Sequence, residues 1–148
     1  MYDRSMRSLE SIPIKEFMVK NVTALQVTDT LADAYLKMQN HQIRHLPVVD
    51  TKGNLSGLFT VSDLNRAYTP RQTPYGFYYD NTELKSMNIT HFMTKDLIVL
   101  SPEDSLKKAI HIMSSTKRNC IPILQPGTRK IAGIITSIDV LKKVEENF

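Results

Sequence analysis

Residues 14–20 read Ile-Lys-Glu-Phe-Met-Val-Lys, and residues 89–95 read Ile-Thr-His-Phe-Met-Thr-Lys, 75 positions later. When this offset is kept, ten identities occur over positions 14–47. With one more residue of offset, Gly-Leu-Phe-Thr-Val-Ser-Asp at 57–63 matches Gly-Ile-Ile-Thr-Ser-Ile-Asp at 133–139. Self-similarity at a fixed offset indicates one supersecondary unit that occurs twice in the chain.

Apolar stretches predict three strands in each copy. The first lies at residues 22–27 or 97–100, and the other two form a hairpin because short apolar runs flank a turn that contains glycine. The hairpin strands are predicted at residues 46–49 and 55–59 in the first copy, and at residues 121–124 and 131–135 in the second.

Two helices complete each copy. Apolar residues at i, i+3, i+4 and i+7 predict one-sided helices that contain Leu31 and Leu106. We expect Thr28 to cap the first of these helices. We expect Ser101 to cap the second, because a serine followed by proline and two acidic residues is a strong helix start. Short final helices are predicted to open at Thr60 and Thr136.

The order β-α-β-β-α, occurring twice, predicts an α/β fold, or α+β in schemes that separate the two classes. We expect a first motif at residues 12–68, a linker at residues 69–88 and a second motif at residues 89–146. Neither motif alone is large enough for a sufficient core. The two are therefore predicted to pack together as one domain with pseudo-twofold symmetry.

Composition is typical of a soluble globular protein, with 41% hydrophobic and 23% charged residues in 148. No apolar run approaches the roughly 18 to 20 residues that span a bilayer, so we expect no membrane association. The first five residues lack an apolar signal core. A single cysteine, Cys120, excludes an internal disulfide and fits a reducing, cytoplasmic location. We expect Cys120 to be a semi-buried apolar side chain rather than a reactive thiol.

The net charge of +4 is the feature that favours a nucleic-acid partner. The basic residues, however, occur as short pairs among acidic residues instead of in one cluster. We interpret them as solvated surface, and nucleic-acid binding is the weaker alternative. The pairs are Lys107-Lys108, Lys117-Arg118, Arg129-Lys130 and Lys142-Lys143.

Three features together resemble the cystathionine β-synthase (CBS) domain family. They are Phe-Met-x-Lys before the first strand, His-Leu-Pro-Val-Val-Asp at residues 45–50, and Gly-x-x-Thr-x-x-Asp at the last strand-to-helix junction. Two copies in tandem look like a CBS pair, or Bateman module, over residues 12–146. The long linker is similar to that of small stand-alone proteins of the acetoin-utilisation type.

The resemblance implies a regulatory module and not an enzyme. CBS pairs bind adenosine-containing ligands (AMP, ADP, ATP or S-adenosylmethionine) in clefts between their motifs. They commonly form homodimers, lack catalytic residues and report to an attached or associated partner protein. We therefore expect a regulatory adenosine ligand, an unidentified protein partner regulated in trans, no catalytic cofactor and no metal site. The sequence names neither the ligand nor the partner.

The Gly-x-x-Thr-x-x-Asp motif has two interpretations. In structural terms, Thr-x-x-Asp is a helix capping box. In the family, the Asp accepts hydrogen bonds from ribose hydroxyls, the Thr hydroxyl helps to hold ribose or phosphate, and the Gly lets the backbone approach the ligand. Because the motif occurs in both copies, we favour binding. The predicted ligand-binding residues are Gly57, Thr60 and Asp63 in the first copy, and Gly133, Thr136 and Asp139 in the second.

The residues predicted to face a phosphate differ between the copies. Arg44 and His45 precede the second strand of the first copy, where the family often supplies phosphate contacts. Asn119 and Cys120 replace them in the second copy, with Arg118 close by. The first cleft is therefore expected to suit a charged nucleotide better, and the second to be weaker for phosphate. The alternative is that Arg44 and His45 are merely exposed.

Adenine is expected to contact apolar residues and backbone groups near the first strands. This predicts contacts at Ala24, Val99 and Ile121. An ordinary role in the strand core explains each of these residues equally well.

The linker contains four aromatic residues, Tyr75, Phe77, Tyr78 and Tyr79. Their rings either cover an edge of the core or contact a second chain, since exposed aromatic clusters often mark interfaces. The second interpretation gives the alternative function, a structural or dimerisation module whose clefts are vestigial.

Overall fold

The computed structural model describes residues 8–147, so the N-terminal residues considered above lie outside it. The fold is mixed α/β. The helices are α1 (Leu31–His41), α2 (Val61–Ala67), α3 (Asn81–Lys85), α4 (Leu106–Thr116) and α5 (Ser137–Asn147). The strands are β1 (Leu25–Gln26), β2 (His45–Val49), β3 (Leu55–Thr60), β4 (Arg71–Thr73), β5 (Gly76–Tyr78), β6 (Cys120–Leu124) and β7 (Ile131–Thr136). No helix in this part of the chain is long and apolar enough to cross a bilayer.

The chain divides into two compact units whose bounds differ from those of the sequence repeat. The central unit comprises residues 23–97. Among the described residues, the terminal unit comprises residues 8–22 together with residues 98–147. Each unit has its own buried core.

A three-stranded sheet in the order β1-β2-β3 forms the centre of the central unit. β1 runs parallel to β2, and β2 runs antiparallel to β3 with Leu46 opposite Phe59. The predicted hairpin is therefore confirmed, and its strands are one residue longer than the sequence indicated. The main fully buried side chains of this core are Leu25, Leu31, Ala34, Leu46, Val48, Phe59, Leu84 and Ile89.

The terminal unit is built around the antiparallel pair β6 and β7, with Ile121 opposite Ile135. The apolar face of α4 covers this pair through Leu106, Ala109 and Met113, at the spacing that the sequence predicts. Ile12, Ile14 and Phe17 are buried in the same core, although they lie at the start of the first copy in the sequence.

The central unit takes its last structural segment from the start of the second copy. Residues Ile89–His91 form a short 3-10 helix, and the amide of Ile89 donates to the carbonyl of Asp29 at 3.0 Å. Leu58 and Thr94 then exchange two backbone hydrogen bonds of 2.9 and 2.8 Å. This segment therefore belongs to the core of the first copy.

The terminal unit shows the reciprocal arrangement. Residues Ile14–Glu16 form the equivalent 3-10 helix, and the amide of Ile14 donates to the carbonyl of Asp104 at 2.8 Å. Val19 and Ile134 exchange two backbone hydrogen bonds of 2.8 and 3.0 Å. The core of each copy is thus completed by the first residues of the other copy in the sequence.

The predicted first strands are shorter in the structure. In the first copy only Leu25–Gln26 pairs as a strand, instead of residues 22–27. In the second copy Leu100 forms a single parallel bridge to Ile123, and residues 97–100 form no strand. A tight turn follows each of these short pairings, so the extended stretch ends there.

The predicted helix caps are wrong by two and four residues. Thr30 caps α1 in a reciprocal capping box with Asp33, and Ser105 caps α4 by accepting from the amide of Lys108. Ser101 instead begins a turn in which its amide donates to the Asp104 carboxylate at 2.8 Å. The serine, proline and acidic residues therefore stabilise a turn before the helix.

The final helices both start where predicted, but α5 has 11 residues and is not short. The linker is also ordered into elements, since β4 and β5 form an antiparallel hairpin and α3 follows. The ring of Tyr79 stacks on that of Tyr35 with centroids 4.4 Å apart, so it covers α1. Tyr75, Phe77 and Tyr78 remain exposed.

The assignment of the 3-10 segments can be tested with Ile14→Ala. Ile14 is fully buried, so the substitution should lower the free energy of unfolding by about 2–5 kcal/mol. Hydrogen exchange followed residue by residue should show the larger loss of protection at β6 and β7. Leu36→Ala on α1 is the control, because Leu36 is 58% exposed and the expected change is below about 0.5 kcal/mol. A loss of protection confined to β2 and β3 would show that Ile14 packs in the core of the central unit instead.

Candidate functional site

The first Thr-x-x-Asp motif forms a capping box at the start of α2, as its structural interpretation predicts. The Asp63 amide donates to Thr60 Oγ1 at 3.1 Å, and the Thr60 amide donates to Asp63 Oδ2 at 3.0 Å. Both atoms that would contact a ribose in the ligand-binding interpretation therefore also hold the strand-to-helix junction together.

The Asp63 carboxylate is almost completely enclosed. It is 1% exposed, and no other polar or charged residue is classed as buried in the described chain. Arg66, one turn further along α2, donates to Asp63 Oδ1 in an ion pair. Thr94 Oγ1 lies 3.3 Å from each carboxylate oxygen. Both oxygens of this carboxylate consequently have partners within the central unit.

The second motif is similar in its backbone but more open. The Asp139 amide donates to Thr136 Oγ1 at 3.2 Å, and the Thr136 hydroxyl lies 2.7 Å from Asp139 Oδ2. Asp139 is half-buried. The residues equivalent to Arg66 and Thr94 are Lys142 and Val19, and Lys142 makes no ion pair with Asp139 in the described chain.

The two motif glycines are required by close packing. A Cβ placed on Gly57 would lie 2.5 Å from Sδ of Met93, and one on Gly133 would lie 2.7 Å from the carbonyl oxygen of Val19. The space beside each glycine is thus filled by the segment that completes its unit. A direct approach of these glycines to a ligand stays a prediction.

The predicted phosphate-facing residues lie beside the helix starts. The carbonyl of Arg44 accepts from the amide of Val61 at 3.1 Å, and its side chain is exposed. His45 is half-buried on β2. In the terminal unit the carbonyl of Asn119 accepts from the amide of Ser137 at 3.0 Å. The backbone hydrogen bond is therefore equivalent in the two units. The exposed side chain differs, because Arg44 of the central unit is replaced by Asn119 in the terminal unit.

The predicted adenine contacts have different surroundings. Ala24 is half-buried, and its carbonyl accepts from Nζ of Lys37 at 2.6 Å. Val99 is half-buried, and Ile112 stands in the place equivalent to Lys37. Ile121 is fully buried in the core of the terminal unit, as its structural interpretation expects. Contact of any of the three predicted residues with adenine stays a prediction.

Cys120 precedes Ile121 on β6 and is 6% exposed. Burial raises the pKa of its thiol, and the negative charge of Asp139 adds to this effect. The side chain is therefore a neutral thiol, as the sequence predicts, and more deeply buried than expected. No group of three or more His, Cys, Asp or Glu residues in the described chain is placed to hold a metal ion.

Arg66 and Thr94 were not identified from the sequence as site residues. The sequence could have indicated them, because the two copies differ at these positions: Arg66 aligns with Lys142, and Thr94 aligns with Val19. Such differences between otherwise matched copies indicate the positions where the two sites diverge. The packing roles of Met18 and Met93 were likewise missed, since their proximity to the glycines depends on the exchanged segments.

Comparison with known proteins identifies the repeated motif. The CBS domain family model matches residues 14–69 and 89–146. Two homoserine O-acetyltransferases, from Methanohalobium evestigatum and Methanocorpusculum labreanum, are 25% and 29% identical to this chain over 90% and 87% of its length. The chain spans 24% and 23% of those proteins, about a quarter of their length.

Solved structures show the same fold. An acetoin utilization protein (AcuB) from Vibrio cholerae has a TM-score of 0.76 and 25% identity, with 91% of each chain covered. The CBS domain pair of protein MJ0100, in complex with 5′-methylthioadenosine and S-adenosyl-L-methionine, has a TM-score of 0.74 and 21% identity over 92% of this chain and 98% of that one. CBSX2 in complex with AMP has a TM-score of 0.74 and 20% identity over 91% and 97%.

The two motif carboxylates should contribute unequally to stability. Asp63→Ala removes a capping box, an ion pair and the Thr94 contact, and should lower the free energy of unfolding by about 3 kcal/mol. Asp139→Ala removes the hydrogen bond that the carboxylate accepts from the Thr136 hydroxyl and should cost about 1 kcal/mol. Urea denaturation of both variants measures the difference. Equal costs would contradict the enclosure of Asp63 that the geometry shows.

Proposed function

Because this chain belongs to the CBS domain family, we propose that it is a regulatory module that binds an adenosine-containing ligand. The ligand class comprises AMP, ADP, ATP and S-adenosylmethionine. We propose further that the protein is not an enzyme, and that its ligand-bound form regulates a separate partner protein.

The observation that carries the proposal is the pairing of a Thr hydroxyl with an Asp carboxylate at the start of both final helices. The two groups are held by backbone hydrogen bonds of 3.1 and 3.2 Å to the Asp amides. A fixed carboxylate next to a hydroxyl suits a vicinal diol, because the carboxylate accepts a hydrogen bond from each ribose hydroxyl.

The surroundings suggest how the rest of the ligand would be held. Arg44 presents an exposed guanidinium beside the first motif, and His45 is adjacent, so a phosphate there would gain charge-assisted hydrogen bonds. Arg118 and Asn119 occupy the corresponding part of the terminal unit. The adenine would contact the backbone near Ala24 or Val99. In this proposal Gly57, Gly133 and Ile121 lie next to the binding residues and make no contact of their own with the ligand.

The comparisons support the ligand class and leave the ligand itself open. One solved relative holds 5′-methylthioadenosine and S-adenosyl-L-methionine, and another holds AMP. The homoserine O-acetyltransferases are about four times longer than the matched region, so their activity is not transferred to this chain.

Ligand binding should raise the stability of the dialysed protein. AMP, ADP, ATP or S-adenosylmethionine at about 100 times its dissociation constant should add about 2.7 kcal/mol to the free energy of unfolding. Differential scanning fluorimetry with the four compounds measures this as a rise in Tm. Guanosine monophosphate is the matched control, since it offers the same ribose and phosphate with a different base. If none of the four compounds raises Tm, the proposed function is wrong.

The exposed hairpin favours a second candidate function, an interaction module. Every residue of β4 and β5 is exposed, and Tyr75 and Phe77 are 99% and 71% exposed. We infer that these rings contact a second copy of the chain, because large exposed aromatic side chains are typical of the buried centre of an interface. This role is compatible with ligand binding, and a homodimer would combine the two.

Double substitution of Tyr75 and Phe77 by serine should convert a dimer to a monomer in light scattering. The Tm of the monomer should change little, since neither ring packs in the core. Tyr79→Ser is the contrasting variant. Its ring stacks on Tyr35, so this change should lower Tm and leave the mass unchanged. A wild-type protein that is already monomeric, or a double variant that remains dimeric, would remove the hairpin from the interface.

A further inference from the structure

We propose that the two motifs are unequal in ligand binding: Asp139 is the carboxylate that accepts the ribose, while Arg66 and Thr94 hold Asp63 closed. This inference rests on the proposed adenosine-binding function and specifies which motif serves it. The sequence favoured the opposite order, because only the first copy offers Arg44 and His45 to a phosphate.

The Asp63 carboxylate is buried and already has hydrogen-bond partners at both oxygens. A carboxylate recognises a diol through free lone pairs. Asp63 Oδ1 accepts from Arg66, Oδ2 accepts from the Thr60 amide at 3.0 Å, and the Thr94 hydroxyl lies 3.3 Å from both. The residue is 1% exposed. A ribose would have to displace Arg66 to reach Oδ1, and it would compete with the Thr60 amide and the Thr94 hydroxyl at Oδ2.

The Asp139 carboxylate is more accessible than that of Asp63. Its Oδ2 interacts with the Thr136 hydroxyl at 2.7 Å, and within the described residues no side chain covers Oδ1 with a hydrogen bond. Asp139 is half-buried, so it is reachable from solvent and still partly desolvated. Hydrogen bonds from ribose hydroxyls gain strength in such surroundings, since less water competes for the carboxylate.

Two substitutions account for the difference between the units. The repeat places Lys142 where α2 has Arg66, and Val19 where the other segment has Thr94. A lysine has one compact ammonium, whereas an arginine has a planar fork that suits a carboxylate. Val19 has no hydroxyl to donate, although its backbone bonds to Ile134 match those between Thr94 and Leu58. We call Arg66 and Thr94 together the Asp63 latch.

The latch can be exchanged between the units by replacing each residue with its counterpart. The opened variant carries Arg66→Lys and Thr94→Val, and the closed variant carries Val19→Thr and Lys142→Arg. All four changes occur at exposed or half-buried side chains, so both variants should keep the fold, which circular dichroism checks.

Isothermal titration calorimetry with AMP, repeated with S-adenosylmethionine, tests the inference. The wild type should bind about one molecule per chain of at least one compound, and the opened variant about two. The closed variant should bind at least about tenfold more weakly than the wild type, because the ribose must compete with a new ion pair.

Two results would overturn the inference while leaving the proposed function intact. One is a wild type that binds two molecules per chain, and the other is a closed variant that binds as tightly as the wild type. An opened variant that still binds one molecule would remove the role of the latch. Absence of binding of both compounds to all three proteins would instead contradict the proposed function itself.

Discussion

The exchanged backbone bridges, Leu58 with Thr94 and Val19 with Ile134, are the constraint on which the rest of the structure depends. Each bridge ties the last hairpin strand of one copy to the segment that begins the other copy in the sequence. The bridge brings a methionine against the motif glycine, where a side chain would collide with it. It also sets one residue of the segment beside the motif carboxylate in the central unit. The residue type at that position therefore affects both packing and chemistry.

The capping role of the motif carboxylate competes with the ligand-binding role that we propose for it. As a capping group it satisfies amide donors at the helix start, a contribution of about 0.5–2 kcal/mol. As a binding group it needs free lone pairs and access from solvent. In the central unit the carboxylate of Asp63 is committed to Thr60, Arg66 and Thr94, which favours stability. In the terminal unit Asp139 is half-buried and has no such ion pair among the described residues, so we propose that it accepts the ligand. The same motif would thus serve mainly stability in the central unit and mainly the proposed binding in the terminal unit.

The sequence was sufficient for the hairpin strands, the four repeated helices and the family, because periodicity and the repeat are local signals. The hairpin strands and the starts of both final helices follow from them. The residues Ser-Pro-Glu-Asp at 101–104 predict the cap of α4 at Ser101, but a serine before proline fits a turn as well as a helix start. The hydrogen bond from the Ser101 amide to the Asp104 carboxylate shows that it is a turn. The exchange of the 3-10 segments could not be derived, since Ile14 and Ile89 have the same local pattern whichever core they enter.

The residues of the two motifs could be predicted from the sequence. Which carboxylate already has hydrogen-bond partners could not. Thr60, Asp63, Thr136 and Asp139 were identified from the repeat, and both threonines bond the amides of their paired aspartates. Whether each carboxylate is free depends on contacts between residues far apart in sequence, such as Thr94 with Asp63. These contacts follow from tertiary structure. Comparison of the two copies, position by position, nevertheless shows where to look for them.

A crystal structure of the protein grown with AMP would test the central claim most directly. The account predicts ribose hydroxyls within hydrogen-bond distance, about 2.5–3.0 Å, of the Asp139 carboxylate, while Asp63 keeps its contacts with Arg66 and Thr94. AMP bound with its ribose on Asp63, with Asp139 unoccupied, would contradict the proposed inequality of the two motifs. AMP bound away from both aspartates would contradict the assignment of the site.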